Sequence, residues 1–152
     1  MVYAKHIPCI NIKSNDEYIM KTIILHNKVF EIFITENEIQ KIVESIANNI
    51  NTIKIKDPLF IAVLNGSFLF AADIMRKITI PNAEISFVKL SSYEGTKTTG
   101  NVNELIGISK DISKRNIIIL EDIIDTGITL EKIITLLKKE NVTDIKIATL
   151  LF

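Results

Sequence analysis

Cysteine occurs once in the 152 residues, as Cys9, so no disulfide can close within the chain and no cysteine cluster can hold zinc. A reducing, cytoplasmic setting suits such a sequence. Proline occurs three times and glycine five, too sparsely for a Pro/Gly-rich linker, and a single domain over 1–152 is expected. An excess of charge is lacking as well, since 18 Lys and Arg face 18 Asp and Glu, and the only arginines are Arg76 and Arg115. A broad nucleic-acid surface is thereby disfavoured, and any anion must be bound locally. No apolar run reaches membrane-spanning length, so no membrane partner is expected. Repeats and low-complexity tracts are absent, while a hydrophobic content of 47% argues against disorder.

What is present alternates. Residues 29–34 form a short β-branched and aromatic run, and Thr35-Glu36-Asn37-Glu38 after it has the spacing of a capping box. A helix should start there and continue to about Asn51, because Ile39, Ile42, Val43, Ile46, Ala47 and Ile50 share one face. Residues 59–64 read as a buried strand that ends in Asn65-Gly66-Ser67 and leads into a helical pattern over 68–78. Further strands are expected at 84–90, 117–120 and 145–152, with a helix whose inner face is Leu130, Ile133, Ile134 and Leu137. The polar stretch 91–103 reads as a long loop of the kind used for lids. Fully apolar strands alternating with helices indicate a parallel sheet covered on both faces, with ligands beyond the carboxyl ends of the strands. The last strand reaches Phe152 without a turn or polar tail, so further residues of a parent protein are expected beyond it.

The densest chemistry lies in Glu121-Asp122-Ile123-Ile124-Asp125-Thr126-Gly127-Ile128-Thr129-Leu130. A helix N-terminus presents unpaired amide N–H groups and favours anions, so the turn at 126–129 reads as a phosphate cradle. Three carboxylates beside a phosphate would repel it unless they address ribose hydroxyls or a bridging divalent cation. A sugar phosphate carrying a metal ion satisfies both halves. The plain alternative is an ordinary connection in which Asp125 caps the helix and Glu121 and Asp122 face water. His6, His26 and Cys9 lack metal-ligand spacing and read as structural or surface residues, and Asp73 with Arg76 reads as a surface ion pair.

The acidic segment resembles the phosphoribosyl-diphosphate motif of the type I phosphoribosyltransferases, in the form found in their hypoxanthine-guanine branch. Two more segments are similar to that branch: Leu64-Asn65-Gly66-Ser67-Phe68 with Ala71-Ala72-Asp73-Ile74, like its diphosphate loop and following helix, and Ser91-Ser92-Tyr93-Glu94-Gly95, like the start of its lid. The resemblance spans about 29–152. It implies the type I phosphoribosyltransferase fold, a mostly parallel twisted α/β sheet with helices on both faces. It also implies purine salvage: hypoxanthine or guanine, a 6-oxopurine base, displaces diphosphate from 5-phosphoribosyl 1-diphosphate to give IMP or GMP.

In that scheme Asp125 is the general base, and Glu121 and Asp122 hold the ribose hydroxyls directly or through Mg2+. Ile123, Ile124, Asp125, Thr126, Gly127, Ile128 and Thr129 line the sugar-phosphate site. Leu64, Asn65, Gly66 and Ser67 receive the diphosphate, with a cis peptide implied between Leu64 and Asn65. Ser92, Tyr93 and Lys97 belong to the closing lid. Many relatives carry a basic residue where Asn65 stands, which places more of the charge neutralisation on magnesium. Family members continue past the last strand with purine-contacting residues, which fall outside this chain, so the choice among hypoxanthine, guanine and xanthine is not encoded here. A homodimer or homotetramer is implied too. Two alternatives differ in class: a phosphoribosyl-diphosphate-sensing regulator of nucleotide genes, which needs a basic nucleic-acid surface, and a signalling receiver, which splits its acidic cluster over separate strands.

Overall fold

The run Leu59-Phe60-Ile61-Ala62-Val63 is buried at every position, as a strand covered on both faces must be, and it forms the centre of the sheet. A computed structural model describes residues 22–90, 105–108 and 111–152. The chain divides into two compact units, Met1–Thr35 and Glu36–Phe152.

In the first unit the described structure is a hairpin of β1 (Ile23–Leu25) and β2 (Lys28–Phe30), paired antiparallel. Its turn places His26 and Asn27 at φ 48° and 61°, the left-handed pair that a two-residue hairpin requires. The strand expected over 29–34 is therefore corrected to a shorter one that ends at Phe30, where the register with Ile23 closes.

The second unit runs α1 (Glu36–Thr52), β3 (Leu59–Val63), α2 (Phe68–Met75), β4 (Glu84–Leu90), β5 (Leu105–Ile106), β6 (Asn116–Ile123), α3 (Ile128–Lys139) and β7 (Asp144–Leu151). The five strands are ordered β5-β4-β3-β6-β7, with all neighbours parallel except the short β4–β5 pair. Strand alternation sorts the core. Phe60, Ala62, Ile118 and Leu120 meet α1 and α2 through Val43, Ala47, Phe70 and Ile74, while Leu59, Ile61, Ile117 and Ile119 meet α3 through Leu130, Ile133 and Leu137. Each of the valine, leucine, isoleucine and phenylalanine side chains contributes about 1.5–3 kcal/mol on burial. That reserve lets β6 hold unfavourable charges at its end.

Two element boundaries differ from the sequence expectation for local reasons. Helix α2 stops at Met75 instead of 78 because Asn51 of α1 takes over the next backbone groups, donating to Lys77 O at 2.9 Å and accepting from Thr79 N at 2.9 Å. Strand β6 extends to Ile123 instead of 120 because its ladder with β7 continues through Glu121↔Thr149 and Ile123↔Leu151. Glu121 and Asp122 thus stand on a strand, not in a turn. The expected loop at 91–103, with Ser92, Tyr93 and Lys97, lies outside the described residues, as do His6 and Cys9. No helix among the described residues is long and apolar enough to cross a membrane.

Candidate active site

Strand order reverses at β3: the chain moves outward to β4 through α2, then returns to place β6 on the other side. At such a switch point the loops after adjacent strands diverge and leave a crevice at their carboxyl ends. Here the loop after β3 and the end of β6 line one cavity of about 360 Å³, shared by Leu64, Gly66, Glu121, Asp125, Thr126 and Thr129, with Val63, Ile123, Ile124, Gly127 and Leu130 as its remaining walls. Among the described residues its lining holds no lysine, arginine or histidine.

The loop after β3 contains a cis peptide between Leu64 and Asn65, as the resemblance implied. Asn65 and Gly66 are exposed. Gly66 is set by proximity: a Cβ there would lie 2.7 and 2.9 Å from the carboxylate oxygens of Asp122. Alternation along β6 turns Asp122 toward the side of Ile118 and Leu120, where this loop enters α2, and Glu121 toward the side of Ile117 and Ile119. Ser67 departs from the expected donor role. It is fully buried, and both its hydroxyl (2.7 Å) and its N–H (3.3 Å) donate to Val63 O, so it braces the loop from inside.

After β6, Asp125 and Thr126 are exposed, and Gly127 precedes α3 in the left-handed region at φ 75°. Nothing lies within 4 Å of a Cβ at Gly127, so its backbone conformation, not crowding, favours glycine. No side chain caps α3. Its first amides are therefore open to an anion that the dipole favours, with the hydroxyl-bearing Thr126 and Thr129 on the cavity wall. Ile128 is 56% exposed and lies outside the cavity lining.

The half-buried Glu121 has its carboxyl pushed up to about 7, first by desolvation and then by the hydrogen bond and repulsion from the adjacent Asp122 carboxyl. Adjacent carboxyl groups at a strand end, one raising the pKa of the other, suit a hard divalent cation, which would relieve that repulsion. Among the described residues no group of three or more acidic, histidine or cysteine side chains converges, so a cation here would complete its shell with ligand oxygens and water. A raised carboxyl pKa means that the folded state holds a proton which the unfolded state has released, so stability falls as pH rises from 4.5 to about 7. Glu121→Gln should abolish this decline in thermal melts of the ligand-free protein. The gain above the window is on the order of 1 kcal/mol once solvent screening of a half-exposed group is allowed for.

With the geometry in hand, the likenesses to known proteins are specific. The phosphoribosyl transferase domain family matches residues 29–152. A hypoxanthine phosphoribosyltransferase of Buchnera aphidicola is 45% identical over 94 residues, 61% of this chain and 52% of that protein. A hypoxanthine-guanine phosphoribosyltransferase of Staphylococcus aureus is 33% identical over 129 residues, 84% of this chain and 72% of that protein. The crystal structure of a hypoxanthine-guanine phosphoribosyltransferase from Bacillus anthracis is similar with a TM-score of 0.64 at 33% identity, covering 77% of this chain and 68% of the other. The match thus spans about half the length of the Buchnera relative. A family match over most of the chain, a sheet with the same architecture as solved relatives, and an acidic strand end facing a cis-peptide loop agree: the chain belongs to the phosphoribosyl transferase family.

Proposed function

We propose that this chain carries the sugar-phosphate half of a purine phosphoribosyltransferase that joins hypoxanthine or guanine to 5-phosphoribosyl 1-diphosphate, giving IMP or GMP and diphosphate. The observation that supports this most is the shared cavity, in which the loop after β3 and the end of β6 offer separate places for diphosphate and for ribose 5-phosphate. The open amides at the start of α3, with the Thr126 and Thr129 hydroxyls, bind the 5′-phosphate. Leu64, Asn65 and Gly66 present backbone to the diphosphate. Glu121 and Asp122 hold the ribose hydroxyls and Mg2+, which when bound neutralises the leaving diphosphate.

The reaction forms a bond between the purine imidazole nitrogen and the ribose anomeric carbon while the bond from that carbon to the diphosphate oxygen breaks. Positive charge develops at the anomeric carbon, and carboxylates at the cavity edge stabilise it. Asp125, exposed on the cavity wall, takes the proton that the purine nitrogen gives up. A homodimer or homotetramer completes the reading.

The test is a magnesium-dependent transfer assay on the protein carrying this chain, with phosphoribosyl diphosphate and each of hypoxanthine, guanine and xanthine. Nucleoside monophosphate should form with hypoxanthine or guanine. Tight ligand binding with no nucleotide from any base would favour the regulator instead.

A further inference from the structure

The loop after β3 carries the sequence's one Asn-Gly step, Asn65-Gly66, and both residues are exposed. Around them the backbone is engaged: Leu64 N donates to Val88 O, Ser67 N to Val63 O and Phe68 N to Asn65 O. Among the described residues the Gly66 N–H has no acceptor and the Asn65 side chain no hydrogen-bond partner. That combination leaves an amide nitrogen free to approach the carboxamide carbon of the residue before it. Glycine adds no side chain to obstruct the approach and leaves the backbone the freedom to make it. The other described exposed asparagines outside helices and strands, Asn27, Asn82 and Asn141, differ, and Asn27 precedes Lys28, whose side chain shields the amide. Asn82 and Asn141 precede Ala83 and Val142, whose side chains shield the amide, and Asn82 Nδ2 is held by Asp57 Oδ1 at 2.8 Å.

We infer that Asn65 is a deamidation site and that its conversion disables the diphosphate end of the cavity; the second half rests on the phosphoribosyltransferase reading. The Gly66 nitrogen, giving its proton to solvent base, bonds to Asn65 Cγ, and the side-chain amide nitrogen leaves as ammonia. Water then opens the five-membered imide at either carbonyl, yielding aspartate or isoaspartate. No electrons are exchanged with an outside group. The product places a carboxylate next to Gly66, where the Asp122 oxygens already lie 2.7 and 2.9 Å from a Cβ position. A second negative charge there opposes an incoming diphosphate, and the isoaspartyl form also lengthens the loop backbone. A bound diphosphate that accepts the Gly66 N–H occupies the nucleophile. Occupied protein therefore ages more slowly than empty protein.

The experiment incubates the protein at mildly alkaline pH with and without magnesium and phosphoribosyl diphosphate, then follows each asparagine by peptide mass mapping with isoaspartate detection. Conversion at position 65 should run well ahead of Asn82 and Asn141, should slow when ligand is present, and should vanish in Asn65→Gln. Conversion at position 65 no faster than at Asn82 would overturn the modification. Asn65→Asp, which carries the charge without the longer backbone, should bind magnesium phosphoribosyl diphosphate about tenfold more weakly than the parent. Equal affinity would overturn the consequence for binding. If fresh protein binds no phosphoribosyl diphosphate while position 65 still converts, the modification holds and the reading of the ligand is what fails.

Discussion

Asp125→Asn should keep phosphoribosyl-diphosphate binding while lowering turnover by about 10²–10⁴-fold, the range associated with loss of a positioned proton acceptor. The substitution preserves shape, and Asp125 is exposed on the cavity wall with no hydrogen bond of its own among the described residues, so the fold has little to lose. What disappears is a carboxylate that can take the purine proton and face the developing positive charge. An amide does neither. Isothermal titration for binding and steady-state assays for turnover separate the two effects. Equal losses in both would place Asp125 in ground-state binding, and unchanged turnover would remove it from the chemistry.

The second large effect concerns the metal. The proposed ligand is a polyanion, yet among the described residues the cavity lining offers two carboxylates, Glu121 and Asp125, and no cationic side chain. Unit charges about 4 Å apart repel by roughly 4 kcal/mol at an effective dielectric near 20, which corresponds to about 10²–10³-fold in affinity. Removing magnesium with a chelator should therefore weaken phosphoribosyl-diphosphate binding by at least about 10²-fold. The double variant Glu121→Gln with Asp122→Asn shifts the pattern: metal-free affinity rises because Asp125 alone is left as a lining carboxylate, while magnesium helps far less. A ligand held equally well with and without metal by the parent protein would contradict this account.

How much of this was legible in the sequence depends on the kind of interaction that decides each element. The strand at Glu84–Leu90 and the buried run at Leu59–Val63 were readable because apolar periodicity and burial are the same fact stated twice. The acidic segment declared itself because carboxylates next to a Thr-Gly turn have few structural uses. The hairpin at Ile23–Phe30 was missed, since its turn uses His26-Asn27 and lacks the glycine that signals such turns most clearly. The end of α2 depended on Asn51, a residue 26 positions from the carbonyl it binds, which no local pattern reports.

Ser67 shows the same limit inside the site. The resemblance implied a ligand donor there, and only the path of the loop turns its hydroxyl back on Val63. The opposed directions of Glu121 and Asp122 could have been read by extending the alternation of Ile117 to Leu120, had the strand been carried past residue 120. The raised pKa of Glu121 could not have been read at all, because desolvation is a property of the folded cavity. The expected lid residues Ser92 and Tyr93 lie outside the described residues.

In the proposed complex Glu121 to Thr129 and Leu64 to Gly66 close around a single sugar phosphate and its metal. Crystals grown with magnesium and phosphoribosyl diphosphate test it directly. The 5′-phosphate should lie on the first amides of α3, the diphosphate against the Asn65-Gly66 backbone, and the metal between ligand oxygens and the Glu121–Asp122 pair. Ligand seated elsewhere, or a cavity that stays empty at saturating ligand and metal, would contradict it.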